Sequence, residues 1–242
     1  MSKDLLVENK PAIGQSLLPV VKAQDKKTRA FLRKHPRGYA IVIKKSARKL
    51  FLYLNGAAVK GAVFDLRNYD PKFLDVAGPR NTSLSFPAHI SLGYDFETGT
   101  SPLGPKKEVG DAKVPEGEYF ICELNLNKSK YTYGLTISYP NPKDARDGLK
   151  RGAISKTKFD RLVRAYKNWD CPPGSPLGSE IQIHGPSNNS STDIRENIKN
   201  STAPEKDEKM PDWTAGCIAT GFRTITYLAR TIPLTTPSLI LP

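Results

Sequence analysis

Two residues with the chemistry of a nucleophile and its base stand at the ends of one stretch of this sequence. His184 ends the alternating apolar and polar run 181–184, a pattern typical of a buried strand. Cys217 follows a turn of small residues that includes Gly216. A thiol of ordinary pKa is mostly protonated at neutral pH, so a nucleophilic cysteine needs a base or another group that favours the thiolate. We therefore expect Cys217 to be the nucleophile and His184 its base.

The residues after the cysteine predict further help for the thiolate. Phe222, Ile225, Leu228 and Ala229 recur at helical spacing, and the positive end of such a helix would lie near the sulfur. Gly216 would allow backbone amides to face a developing oxyanion. The residue types alone leave another interpretation open, because a cysteine beside a glycine is commonly a small buried residue. A histidine at the end of a strand is likewise commonly structural.

The surroundings of both residues resemble a known family. Residues 212–219 read DWTAGCIA and are preceded by His184-Gly185. This combination resembles the signature of the L,D-transpeptidase (YkuD-domain) family, in the branch whose motif is Asp-Trp-Thr-x-Gly-Cys-Ile-Ala. Residues 104–119 resemble the family's loop rich in glycine and proline, and 45–50 resemble its Lys-x-x-Arg-x-Leu motif.

The resemblance implies a peptidoglycan enzyme that forms a thioester. Cys217 would attack an amide carbonyl of a stem peptide, and an amine acceptor would then release the acyl group in a transpeptidation. The backbone carbonyl of Gly185 would orient the imidazole of His184. No cofactor or metal is implied. The residues that would bind substrate or shape the site, besides Gly216 as the oxyanion turn, are Gly185, Thr214, Trp213, Tyr139 and Lys107.

Two departures from the common family motif keep other functions open. Ala215 stands where a second histidine is usual, and Ala219 stands where an arginine or asparagine often follows the cysteine. Alanine cannot donate a hydrogen bond to substrate. The alternatives are therefore a peptidoglycan amide hydrolase on the same scaffold and thiol, or a non-catalytic module that binds the cell wall.

Local signals predict a hairpin turn at Asn55-Gly56, a strand over 58–66 that returns from it, a helix over 154–168 with Ser155 as its N-cap, and a closing strand over 237–241. The strand and turn pattern as a whole predicts a mainly β fold, either a sandwich or a barrel. The family resemblance narrows this to a YkuD-type β-sandwich with helical excursions. We expect residues 1–38 to form an N-terminal arm with a short helix and 39–242 to form the catalytic domain. Residues 67–87 and 145–170 are interpreted as insertions, and 187–211 as a lid-like loop between the two presumed catalytic residues.

Composition limits the partners. The chain of 242 residues has a formal net charge of +13, which favours anionic partners. The basic residues are scattered and no zinc-finger or helix-turn-helix spacing occurs, so we expect peptidoglycan rather than nucleic acid. No apolar run approaches the ~20 residues of a membrane span. The first residues lack the layout of a signal peptide. Because the family resemblance implies the periplasm or cell envelope, we expect a leader that this sequence does not include.

Three cysteines are present, and none has the spacing of a metal site. Cys122 lies in an apolar run, and Cys171 precedes two prolines in a loop. A disulfide between them would leave the Cys217 thiol for chemistry, and such a bond requires an oxidising compartment. The sequence leaves this pairing open.

Overall fold

The computed structural model describes residues 25–65, 81–93, 103–126, 131, 133–185 and 212–242. Within them the chain forms eleven strands and four helices. The strands are β1 Tyr39–Lys44, β2 Lys49–Leu54, β3 Ala57–Ala58, β4 Gly61–Asp65, β5 Asn81–Ser85, β6 Ala88–Ser91, β7 Gly117–Leu126, β8 Tyr133–Ile137, β9 Gln182–His184, β10 Ile218–Thr220 and β11 Pro237–Leu241. The helices are α1 Lys26–Lys34, α2 Pro142–Lys150, α3 Lys156–Lys167 and α4 Phe222–Thr231.

Nine of these strands form one sheet, in the order β1-β11-β7-β8-β9-β10-β6-β2-β3. Strand β1 pairs with β11 on one side and with β2 on the other, so the sheet closes on itself. The fold is therefore mainly β with a closed barrel and some helices. It differs from the sandwich that the family resemblance implied, and it is the other arrangement that the strand pattern allowed. Strands β4 and β5 form a separate two-stranded sheet.

Helix α4 belongs to the core. Its eight residues from Phe222 to Ala229 are all buried, and five of them join the main apolar cluster with inward residues of the barrel strands. A helix buried on nearly every side needs such an enclosed position. Helix α1 packs its Phe31 and Leu32 on the outside of β1, β2 and β11. Helices α2 and α3 share a small apolar cluster around Leu162 and Leu177.

The local signals in the sequence predicted several elements well. Asn55 and Gly56 both have positive φ at the turn between β2 and β3, as a hairpin turn of this kind requires. Ser155 caps α3 by accepting the Lys158 N–H, as predicted. The third strand, expected as one element over 58–66, is divided into β3 and β4. Helix α2 was not predicted, although Asn141 and Asp144 form a capping box at its start.

Part of the predicted domain plan lies outside the described residues. This applies to most of the N-terminal arm, to 67–80 of the first insertion, and to the lid-like loop at 187–211. The described end of the first insertion forms β5, which pairs with β4. Residues 145–170 carry the end of α2 and all of α3.

A buried carboxyl group at the start of α2 gives the fold a pH dependence. Burial, the largest influence, raises the pKa of Asp144 to about 6, although hydrogen bonds from the Tyr119 hydroxyl and the Asn141 N–H act in the other direction. The folded chain therefore keeps this proton at pH values where the unfolded chain, with a pKa near 3.8, has released it. This contribution to stability is full at low pH and is lost as the pH rises through about 6.

The raised pKa of Asp144 predicts how Asp144→Asn changes the pH dependence of the unfolding free energy. Relative to the variant, the wild type should lose up to about 1.4 kcal/mol of unfolding free energy per pH unit between the two pKa values. Urea unfolding of both proteins from about pH 4 to pH 7 measures this difference. A wild-type advantage that grows with pH would contradict the raised pKa.

A disulfide joins β7 to the segment after α3. Cys122 and Cys171 are bonded, with Cα atoms 5.1 Å apart and a sequence separation of 49. The bond closes a long loop that contains β8, α2 and α3. It also leaves Cys217 as the remaining thiol of the chain.

We predict that Cys122→Ser/Cys171→Ser lowers the unfolding free energy by about 2–4 kcal/mol, because the unfolded chain loses a constraint. The measurement is urea unfolding without reductant. Cys217→Ser is the matched control, since its partly exposed thiol closes no loop, and it should change stability by less than about 0.5 kcal/mol. Equal stability of the double variant and the wild type would show that the bond does not form.

Candidate active site

Two parallel strands bring Cys217 and His184 to the same face of the barrel wall. Ile218 of β10 lies opposite Ile183 of β9, and Ala219 lies opposite His184. Both isoleucines point into the main apolar core. Because side chains alternate along a strand, His184 and the residue before Ile218, which is Cys217, project from the outer face. Cys217, one position before Ile218, and His184, one position after Ile183, therefore lie on neighbouring strands, two register positions apart.

The ring of His184 is held on three sides. Tyr131 stacks on it with centroids 3.7 Å apart, and Trp213 meets it edge-on at 5.5 Å. The Nδ1 atom lies 2.7 Å from the carbonyl oxygen of Gly185. A carbonyl oxygen only accepts hydrogen bonds, so Nδ1 carries the proton. In the neutral ring Nε2 then has the lone pair that a base requires.

Tyr131 is a site residue that sequence reasoning missed. It lies apart from both motifs, and the only signal for it is an aromatic residue shortly before β8. Its stacking buries one face of the imidazole, and His184 is fully buried. The ring is thus fixed in orientation by packing as well as by the contact with Gly185.

The sulfur of Cys217 is partly exposed and lies 3.9 Å from the carbonyl oxygen of Glu180. The expectation that a helix N-terminus lies close behind the sulfur is wrong. Residues Ile218–Thr220 form strand β10, and α4 begins only at Phe222. Helix α4, which follows Cys217, is a core element. Any stabilisation of a Cys217 thiolate must therefore come from other groups.

The turn before Cys217 is closed by one hydroxyl group. Thr214 donates its Oγ1 hydrogen to the Cys217 carbonyl at 2.6 Å and accepts the Gly216 N–H at 3.3 Å. Gly216 has a φ of 115°, and a Cβ there would lie 2.8 Å from the Lys113 carbonyl oxygen. Glycine is therefore required at this position. The Gly216 amide, expected to face an oxyanion, is engaged within the turn.

An ion pair anchors the start of the same segment. Arg48 donates two hydrogen bonds to the Asp212 carboxylate, at 3.1 and 2.6 Å. The same carboxylate accepts the Leu92 N–H at 2.7 Å, and Leu92 in turn accepts from Trp213 and Thr214. Asp212 is thus a structural anchor for the segment that leads to Cys217.

A second anchor holds the loop 103–117 against the barrel. The ammonium of Lys45 is bound to the carbonyl oxygens of Gly104 and Val114 and to the carboxylate of Glu116, all within 3.0 Å. The lysine and arginine of the motif at 45–50 therefore fix the two loops that surround Cys217. The motif identified these two residues in the sequence, but their contact partners are known only from the structure.

Two residues predicted to shape the site lie elsewhere. The side chain of Lys107 is exposed, and Tyr139 is buried with its hydroxyl donating to the Leu177 carbonyl at 2.9 Å. Both line a cleft of about 650 Å³ beside α2. The neighbouring Lys106 is the lysine that reaches the turn at Gly216. Lys107 is the residue predicted at the site, but Lys106, one position earlier in the loop, is the lysine whose side chain points inward.

The described residues contain no group of three or more His, Cys, Asp and Glu side chains that could hold a metal ion. A search of the same part of the chain finds no helix with the length and apolar character that crossing a membrane would need.

No family model matches the sequence, and no curated protein matches it. Solved structures do match. The helical cell shape determining protein Pgp2 from Campylobacter jejuni is 15% identical, with a TM-score of 0.41 over 84% of this chain and 47% of that chain. Bd1075 from Bdellovibrio bacteriovorus is 22% identical, with a TM-score of 0.37 over 86% and 49%.

An L,D-transpeptidase from Mycobacterium tuberculosis is 10% identical, with a TM-score of 0.37 over 85% of this chain and 58% of that chain. The chain thus spans about half the length of the first solved structures it matches. Because all of these TM-scores are below 0.5, the function proposed below rests on the geometry of the site.

Proposed function

We propose that this protein is a cysteine-dependent acyltransferase that acts on peptidoglycan stem peptides, as an L,D-transpeptidase does. The observation that carries the proposal is the pairing of β9, which ends in His184, with β10, which directly follows Cys217. The contact between His184 Nδ1 and the Gly185 carbonyl supports a role for Nε2 as the base. The resemblance of residues 212–219 to the family motif supports the choice of substrate.

The proposed first step forms a thioester. Nε2 of His184 takes the proton of the Cys217 thiol, and the sulfur attacks an amide carbonyl of the stem peptide. The carbonyl π pair moves to oxygen, and the backbone N–H of Cys217 donates to that oxyanion in the proposed step. When the oxyanion collapses, the C–N bond breaks and the leaving amine takes the proton from His184.

The second step decides between transfer and hydrolysis. An amine acceptor gives up a proton to His184 as it attacks the thioester and forms a new amide bond. The C–S bond breaks, and the sulfur takes the proton from His184, which restores the thiol. Water in place of the amine would release a shortened peptide. The disulfide between Cys122 and Cys171 supports a location in an oxidising compartment, as the periplasm or cell envelope would provide.

The test is incubation of the protein with purified muropeptides, followed by mass spectrometry of the products. A new cross-linked species supports the transpeptidase, and shortened peptides alone replace it with the hydrolase. Unchanged muropeptides, together with retention of the protein on peptidoglycan, favour a wall-binding module. Intact-protein mass after treatment with a carbapenem provides a second readout, and an adduct confined to Cys217 identifies a reactive, accessible thiol.

A further inference from the structure

One buried ammonium group lies beside the turn 214–217, called here the nucleophile turn, and has no role in the mechanism described so far. The Lys106 side chain is 3% exposed. A Cβ placed on Gly216 would lie 3.5 Å from its Nζ atom, so the ammonium is in close contact with the residue that precedes Cys217. A buried lysine is costly unless its charge is matched or used.

The lysine is inserted between two glycines that leave room for it. A Cβ on Gly178 would lie 2.7 Å from the Cε atom of Lys106, and Gly178 and Gly216 both have positive φ. Gly178 lies two residues before Glu180, whose carbonyl oxygen is 3.9 Å from the Cys217 sulfur. The end of the lysine therefore lies between Gly178 and Gly216, in segments that lead to the neighbours of Cys217.

The counter-ion of this lysine is held by the backbone of its own loop. Asp111 binds the Lys106 ammonium at 2.7 Å, and its two oxygens also accept the backbone N–H groups of Lys107, Glu108 and Lys113. Among the described residues, Asp111 is the one acceptor of the Lys106 ammonium. An ammonium has three N–H donors, so donors remain for a group at the turn.

The other expected sources of positive potential are absent from this place in the described residues. Helix α4 begins five positions after Cys217, counted from 217 to 222, and the Gly216 amide donates to Thr214. Ala215 stands where the family motif commonly has a second histidine. A fixed cation beside the turn would supply what these groups do not.

We propose that Lys106 is the positioning charge of the Cys217 site, where it favours negative charge on the sulfur and on the oxygen of the attacked carbonyl. The inference deepens the proposed function and rests on it for the oxyanion. The effect on the sulfur is a property of the resting protein. As the Sγ–C bond forms and the carbonyl π pair moves to oxygen, the negative charge passes from one neighbour of the ammonium to another.

The test compares alkylation of Cys217 by iodoacetamide, a neutral probe, across a range of pH in the wild type, Lys106→Met and Asp111→Asn. Intact-protein mass gives the rates. In Lys106→Met the midpoint of the pH profile should rise by about one pH unit or more, and the rate at pH 7 should fall about tenfold. Asp111→Asn leaves the ammonium without its counter-ion, so its midpoint should stay or fall.

The two variants are expected to shift the midpoint in different directions, which distinguishes an effect of charge from an effect of packing. Should both variants slow alkylation alike while the midpoint stays in place, Lys106 is a structural residue and the inference is overturned. Circular dichroism reports folding. If Lys106→Met unfolds, Lys106→Met/Asp111→Asn removes both charges without burying a lone carboxylate, and its midpoint should still rise.

Turnover separates this inference from the proposed function. Alkylation needs no peptidoglycan substrate. If the midpoint shifts in a protein that does not act on muropeptides, the effect of Lys106 on the thiol stands and the proposed enzymatic function is rejected. Where the wild type acts on muropeptides, Lys106→Met should lower kcat by about 10²-fold with little change in KM. An unchanged kcat would show that Lys106 does not stabilise the oxyanion.

Discussion

Cys217→Ala should lower the rate of thioester formation by at least about 10⁴-fold, because alanine removes the nucleophile while the barrel remains intact. The expected result is no carbapenem adduct by intact mass and no new product from muropeptides. The matched control is Cys122→Ser/Cys171→Ser, which removes the other two sulfurs and, assayed below its unfolding transition, should keep both activities.

His184→Gln tests the partner of the nucleophile. Glutamine cannot take the thiol proton, so acylation should fall by about 10³-fold or more. Residues that act as one unit are not additive, and Cys217→Ala/His184→Gln should therefore be no slower than Cys217→Ala alone. A product or adduct that persists in Cys217→Ala would exclude Cys217 as the nucleophile.

Gly93→Ala should be the most destabilising single-methyl change in the walls of the site. A Cβ on Gly93 would lie 1.5 Å from the carbonyl oxygen of Ala112 and 3.4 Å from the Cα atom of Gly216. Neither neighbour is a flexible side chain, so the loop 103–117 must move away from the nucleophile turn. We expect the unfolding free energy to fall by about 3 kcal/mol or more.

Gly174→Ala is the matched control. A Cβ there would have the Ser179 hydroxyl oxygen, at 3.7 Å, as its nearest neighbour, which is an ordinary contact. Its unfolding free energy should change by less than about 1 kcal/mol. Urea unfolding of both variants provides the comparison. Equal stability of the two would mean that the loop and the turn do not approach one another as closely as the structure places them.

The effect of Gly93→Ala on the site follows from the same contacts. Displacement of Ala112 also moves Asp111 and, through it, the Lys106 ammonium. Alkylation of Cys217 by iodoacetamide should then slow even at temperatures where the variant is folded. This result would connect the packing of three backbone segments with the reactivity of the thiol.

Much of the fold could be read from local patterns. The turn at Asn55-Gly56, the cap at Ser155 and strand β11 at 237–241 depend on neighbours in sequence, and the structure has all three. The motifs around His184 and Cys217 pointed to one shared site, and the strands next to them, β9 and β10, do pair. Side-chain alternation in a strand is a local property, so the face occupied by His184 could be predicted as well.

Other features depend on which strand edges meet. The helical pattern at 222–229 does form α4, but residues 218–220 before it form β10, because β6 and β9 flank them on both sides. Closure of the barrel requires β1 to pair with β11 from the far end of the chain. No local pattern states such a pairing, and sandwich and barrel share the same strand signals.

The chemistry at the site divides along the same line. The sequence alone determined a thiol, an imidazole and the loops that could hold them, because residue type and spacing carry that information. Only the tertiary structure decided that Lys106 rather than Lys107 points toward the turn, that Tyr131 covers the imidazole, and that α4 lies in the core. Those outcomes are set by contacts between segments far apart in the chain, where a single position of register determines which side chain is buried.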